Sequence, residues 1–311
     1  MSRERRRNAN TAGRDSGHRC CAELALCVAI VGACVLPAQF ACAQSSHWFA
    51  DGRRAVERAQ GLNAAAERAN NVILFVGDGM GISTVTAARI LEGQRRGESG
   101  EENLLSFERF PYVALAKTYN TNQQTPDSAG TITALVTGSK TRAGVISVDE
   151  SVDRGDFAGV EGHRLETIVE QAEARGLSTG LVTTTTVTHA TPAALYGHSP
   201  ERIWEHDTKL SPEARAAGFP DLARQLIEFE YGNGLEVVLG GGEQSFRPKS
   251  ASLPLGRSDG RDLTSEWVNR AERAVYVRNC AELSEIVPET TDHLLGLFSA
   301  THLRFEADRE R

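Results

Sequence analysis

Apolar and polar positions organise the chain into short alternating segments from residue 71 onward. Val72–Val76 reads VILFV, an unbroken apolar run that predicts a strand buried on both faces of a parallel sheet. ISTVTAARILEG follows as a predicted helix with Gly93 as its stop. YVALAKTY, Tyr112–Tyr119, is a second strand candidate. AGTITALVTG, ending at Gly138, predicts a short helix closed by that glycine. RLETIVEQAEARG places Leu165, Ile168, Val169 and Ala172 on one helical face. The pattern then runs strand (LSTGLVTTT), helix (FPDLARQLIEF), strand (EVVLGGG), helix (LTSEWVNRAERA), strand (VYVRN), helix (AELSEIV) and strand (LLGLF). Such alternation predicts an α/β class: a doubly wound, mostly parallel sheet with helices on both faces. Ligands of open sheets of this kind sit outside the carboxyl ends of the strands, so the polar residues there carry the candidate chemistry.

The N-terminal residues follow another pattern. A basic start, MSRERRR, precedes ALCVAIVGACVL (Ala25–Leu36), too short an apolar run to span a bilayer, and then ACA at Ala41–Ala43. Residues 1–43 therefore read as a secretory signal peptide cut before Gln44, with an uncleaved N-terminal anchor as the alternative. Residues 44–70, rich in Ala, Arg and Glu, predict a helical arm, and 71–311 the fold proper. Five of the six cysteines lie in the predicted leader. The mature chain keeps only Cys280 and can form no internal disulfide. These features predict a periplasmic or extracellular protein with no stable membrane span after cleavage. A net charge of −7 over 311 residues argues against nucleic acid as the main partner.

Candidate chemistry gathers after three predicted elements. Asp78 ends the first strand among Gly77, Gly79 and Gly81, whose backbones allow close approach to an ion or anion. Asp78 can equally cap the next helix. Ser128, in TPDSAGTITALVTG, stands at a helix N-terminus, where it is expected both to cap the helix and to act as the nucleophile, since the same helix end aims backbone donors at an anion. His189 and Thr191 follow the strand LSTGLVTTT two residues apart, so in extended chain they share a side and can help hold a hard metal ion. Arg202 lies in the loop beyond, where its guanidinium can fork two phosphate oxygens or simply be solvated. Ser128 lacks the G-x-S-x-G setting of hydrolase elbows, so a metal-stabilised alkoxide is the activation these residues suggest. GSKT at Gly138–Thr141 lacks the glycine spacing of a phosphate loop.

Four stretches, NVILFVGDGMGISTVTAARI, RFPYVALAKTYNTNQQTPDSAGTITALVTGSKT, VTTTTVTHATPAALYGHSPERIW and VVLGGG, resemble the alkaline phosphatase family in the family's order, from about Asn71 to the chain's end. The middle sections look closer to the animal enzymes than to the enteric bacterial type. The resemblance implies hydrolysis of phosphate monoesters in two in-line displacements, with Mg2+ and Zn2+ as cofactors. Ser128 would become phosphoserine, Asp78 would bridge magnesium and one zinc, Thr191 would bind magnesium directly, His189 would hold a magnesium water, and Arg202 would clamp phosphate. The family also commonly forms homodimers. Most of its zinc ligands lie in a stretch resembling E-G-x-x-I-D-x-x-x-H, then an Asp-His pair and a late histidine, and the sequence reaches Arg311 before any of them. Asp292 and His293 match a segment upstream of those motifs, FSATH and FEADRER supply no replacement, and Ser299 stands where a calcium-binding glutamate is usual. The expectation is thus a nucleophile and a magnesium half-site in a sheet incomplete at its C-terminus, with a catalytically inactive phosphate- or magnesium-binding fragment as the alternative. Sulfatase chemistry is disfavoured, because no C/S-x-P-x-R context surrounds Ser128.

Overall fold

A computed structural model describes residues His47–Gln60 and 69–308. The predicted signal peptide lies outside them, as do 44–46 and 61–68 of the predicted arm. The chain divides into two compact units, Met1–Leu74 with Glu92–Val113, and Phe75–Leu91 with Ala114–Arg311. In the first unit, the arm contributes helix α1 (His47–Gln60). Helix α2 (Ile82–Arg95) begins in the second unit and ends in the first, two residues beyond the predicted stop. Gly93 is buried there, and a Cβ on it would come 2.5 Å from the Cα of Gly100. Close backbone contact, not helix termination, is what requires the glycine.

The second unit is built on four strands, β1 (Gly180–Thr186), β2 (Val237–Gly241), β3 (Ala274–Val277) and β4 (His293–Leu297), in the spatial order β1-β2-β4-β3. Every pairing is parallel, with Leu181 opposite Val238, Val238 opposite Leu295, and Val275 opposite Leu294. Helices α3 (Ser128–Thr137) and α4 (Ile168–Glu173) precede β1, and the helices between the strands include α5 (Ala190–Ala193), α6 (Leu222–Ile227), α7 (Leu263–Asn269) and α8 (Cys280–Ser284). Short polar side chains start most of them by accepting first-turn N–H groups: Thr167 for α4, Asp221 for α6, Asp262 for α7 and Asn279 for α8. The core joins Ile132 and Val136 of α3, Ala190 and Ala193 of α5, Leu222 and Leu226 of α6, and Trp267 of α7 to Leu181, Val238 and Leu295 of the sheet. β4 is buried along its whole length, as expected of a central strand in a parallel sheet.

Three expectations change. Val72–Val76 forms no strand among the described residues, and these residues are 45% to 86% exposed. Tyr112–Tyr119 is likewise unpaired, with Leu115 almost fully exposed. An apolar run specifies a buried strand only where neighbouring strands and a covering layer exist, and among the described residues neither run pairs with a strand. In α4, the buried positions are Val169, Glu170 and Glu173, while Ile168 faces solvent. Glu170 is turned inward because its carboxylate accepts from the Thr167 N–H at 2.7 Å, closing a capping box, and pairs with His198 Nε2 at 2.7 Å.

The carboxyl ends of β1, β2 and β4 converge on the segment after β4. A Cβ on Gly241 would lie 2.0 Å from the Thr301 carbonyl oxygen. Gly241→Ala should therefore lower stability by about 1–3 kcal/mol, the scale of overpacking, read as a lower urea midpoint at unchanged slope. An unchanged midpoint would show that the 299–302 segment yields freely.

Candidate active site

The site lies within the second unit, at the strand ends. Asp78 sits in a tight turn in which Gly79 has φ +68° and the Gly81 N–H donates to the Gly79 carbonyl at 3.0 Å. Its two carboxylate oxygens receive different hydroxyls. Ser128 Oγ donates to Oδ1 at 3.1 Å, and Thr191 Oγ1 donates to Oδ2 at 3.0 Å.

Ser128 opens α3 but does not cap it. The cap is Asp127, whose Oδ1 accepts from the Gly130 N–H at 3.0 Å. Capping thus falls to the neighbouring aspartate, and the serine hydroxyl is left to face Asp78. Gly130 is confined by the Asn120 side chain, whose Oδ1 a Cβ would meet at 2.3 Å. Gly138 closes the helix in the left-handed region at φ +76°.

Asp127, absent from the sequence-based candidates, is the organising residue. It accepts from Asn120 Nδ2 at 2.9 Å, from the Gly144 N–H at 2.9 Å and from Arg202 Nη1 at 3.1 Å. Burial alone would raise its carboxyl, but these donors and the Gly130 N–H outweigh it and hold the group below its ordinary value. An N-cap aspartate directly before the candidate serine was the available sequence signal. Asp127→Ala should cost about 1 kcal/mol of stability through the cap alone and release Arg202, which differential denaturation of native and variant chains will read. Equal stability would contradict the capping role.

Arg202 is held from two sides. Besides Asp127, its Nη2 donates to His189 Nε2 at 3.2 Å, and its backbone N–H donates to the Gly144 carbonyl at 2.8 Å. An accepting Nε2 places the proton of neutral His189 on Nδ1, a buried atom with no hydrogen-bond partner. Burial, reinforced by the charge of Arg202, lowers the His189 pKa and keeps the ring neutral. The five predicted residues thus form one neighbourhood: Asp78 joins Ser128 to Thr191, and Asp127 and His189 flank Arg202.

Other candidates lie elsewhere. His293 begins β4, at the opposite end of the strand, and its Nδ1 pairs with the Leu235 carbonyl at 3.0 Å. Asp292 forms an exposed ion pair with Arg273. Ser299 contributes its carbonyl, which accepts from the Gly242 and Glu243 N–H groups. Cys280 is free and exposed. No described helix is long and apolar enough to cross a membrane.

The profile of the alkaline phosphatase family matches residues 69–311. The chain belongs to that family. It is 43% identical over 255 residues to the alkaline phosphatase of Gadus morhua, covering 78% of this chain and 53% of that protein. It is 41% identical over 279 residues to the tissue-nonspecific isozyme of Mus musculus, covering 85% and 52%. The chain therefore spans about half the length of these relatives. Among solved structures, a cold-active alkaline phosphatase from Shewanella superposes with a TM-score of 0.53 at 30% identity, covering 75% of this chain and 47% of that one. The parallel sheet with its helices is accordingly an alkaline phosphatase fold of the α/β class.

The donor set tests which metals fit. The Asp78 carboxylate meets two hydroxyls, Ser128 and Thr191, a donor set that suits a hard, oxygen-preferring cation such as Mg2+ completed by water. Among the described residues, no group of three or more His, Cys, Asp or Glu side chains is arranged to hold a metal. That does not fit zinc, which takes three or four protein N, S or O ligands.

Proposed function

We propose that this chain carries the nucleophile, the phosphate clamp and the magnesium-facing part of a metal-dependent phosphate monoester hydrolase that acts through phosphoserine at Ser128. The observation that carries the reading is the placement of Ser128 Oγ on Asp78 Oδ1, at the positive end of α3, with Arg202 braced nearby by Asp127 and His189. Arg202 keeps further N–H donors to fork two non-bridging oxygens of a phosphate. Ser128 Oγ attacks phosphorus, the Oγ–P bond forms as the ester P–O bond breaks, and the alcohol leaves. The hydroxyl proton, directed at Asp78 Oδ1, passes on to the leaving oxygen, and the attacking water later returns a proton to Ser128 Oγ. Water then attacks phosphorus from the opposite side, freeing phosphate and restoring the serine. A bound Mg2+, held through Asp78, Ser128 and Thr191, would supply charge neutralisation for this chemistry. No step is assigned to zinc, because its ligands are not among the described residues. The basic and apolar start of the chain supports export as its destination.

The magnesium-suited donors at Asp78 and the braced Arg202 equally support a second reading, a chain that binds phosphate and magnesium without turnover. Isothermal titration with inorganic phosphate, with and without Mg2+, tests the site common to both. Binding should strengthen with Mg2+ and weaken at least about tenfold in Arg202→Ala, the loss of roughly 1.4 kcal/mol or more for a charge-assisted fork. No heat with the native chain would defeat both readings. Phosphate binding without release of alcohol from an aryl phosphate would leave the second.

A further inference from the structure

His302 lies where the carboxyl ends of β1 and β2 meet the segment after β4, and backbone hydrogen bonds tie that segment to both strands. The Leu303 N–H donates to the Thr184 carbonyl at 2.9 Å. The Gly242 and Glu243 N–H groups donate to the Ser299 carbonyl at 2.9 and 3.0 Å. Gly241 has no side chain to push Thr301 and His302 away. The imidazole itself accepts at Nδ1 from the Thr186 N–H at 2.9 Å, which fixes its proton on Nε2. Thr186 is buried, so this donor has no solvent to turn to. The Thr186 carbonyl in turn accepts from the His189 N–H at 3.0 Å. The two rings also meet edge to face, with centroids 5.4 Å apart and planes at 84°. His302 therefore supports His189 through the turn that carries it, with the two rings in edge-to-face contact beside it.

From this geometry we infer that His302 is a positioning residue of the anion site: it fixes the His189 ring with Nε2 turned to Arg202, and so aims the guanidinium. The inference deepens the proposed function, since Arg202 matters only if the site takes a phosphate. No contact of His302 with substrate or metal is invoked. The two substitutions that separate its roles are His302→Asn, which keeps an acceptor near the Nδ1 position, and His302→Phe, which keeps the ring and removes the acceptor.

Long-range nitrogen-15 spectra of the imidazoles, recorded at alkaline pH on the full chain, read positioning directly. His189 should show one tautomer, protonated at Nδ1, in the native chain. It should show a mixture in His302→Phe and return to one form in His302→Asn. Should His302→Phe fail to fold, His302→Gln replaces it, because its amide reaches past the Nδ1 position. Phosphate affinity, measured by titration, should fall about tenfold in the disrupted variant and recover with asparagine, the scale typical of an outer-shell support. An unchanged His189 tautomer in a folded acceptor-less variant overturns the inference, whatever phosphate does. A tautomer change with no phosphate binding by the native chain upholds it and defeats the functional reading instead.

Discussion

Ser128→Ala should take up no covalent phosphate, and any turnover of an aryl phosphate by the native chain should fall by a factor on the order of 10^6, as when other hydrolases lose their nucleophile. The expectation follows from where the hydroxyl is spent. Were Ser128 the helix cap, alanine would cost stability and say little about chemistry. Asp127 holds that role, so the serine makes its bond to Asp78 instead. Alanine at N1 is also a good helix former, and the variant should melt close to the native chain. Loss of labelling at native stability is therefore the signature of a nucleophile. Phosphate labelling that persists in the variant would move the covalent step to another residue. Labelling and stability lost together would make the serine a structural residue.

The largest effect on stability is expected at Arg257, far from that chemistry. Its side chain is fully buried, and it donates to both carboxylate oxygens of buried Asp221 at 3.1 and 2.8 Å, to the Ser245 carbonyl at 3.0 Å, and to Asp259. Asp221 is also the N-cap of α6. Arg257→Ala should cost about 3–5 kcal/mol, because it leaves the Asp221 charge and the Ser245 carbonyl uncompensated in the interior. That is a large part of the 5–15 kcal/mol of a typical domain, so the variant should be largely unfolded in mild urea. Arg257→Lys should rescue little, since an ammonium cannot reproduce the bidentate fork. The double change Arg257→Met with Asp221→Asn should be milder than Arg257→Ala alone, because it removes both charges. Equal midpoints for native and Arg257→Ala chains in urea would contradict this account. The cluster also sets an acid limit. Burial alone would raise the Asp259 carboxyl, but bonds from Arg257 and the Arg261 N–H hold it below its ordinary value near 3.8. The folded chain then takes up that proton later than the unfolded chain does. Its stabilising contribution is complete above about pH 4 and is lost as the pH falls through the lowered folded value.

Much of this fold is legible in the sequence because parallel strands bounded by capped helices leave local marks. All four strands of the sheet coincide with predicted runs, and the aspartates, threonine and asparagine that start the helices stand directly before them. Val72–Val76 is the instructive miss. Apolar continuity reports what a segment needs, not whether a partner is present, and this run is exposed and unpaired among the described residues. Gly93 misled for a related reason: a glycine marks either a helix end or a close approach, and Gly100 decides between them from seven positions away. The polar residues of the site were readable where they follow an apolar run or strand β1, as Asp78, His189 and Thr191 do, and in the loop beyond, which carries Arg202. Asp127 was not, because its four donors come from Asn120, Gly130, Gly144 and Arg202, and only one of these is local. His302 was hidden for the same reason: the Thr186 N–H that it accepts is 116 positions away.

The most direct test of the central claim is to expose the native chain to phosphate with Mg2+, quench it in acid, and map covalent phosphate by mass spectrometry of its peptides. The account expects phosphoserine on the peptide that contains Ser128, and at no other serine. Covalent phosphate on a different residue, or none in a folded chain that demonstrably binds phosphate, would contradict it.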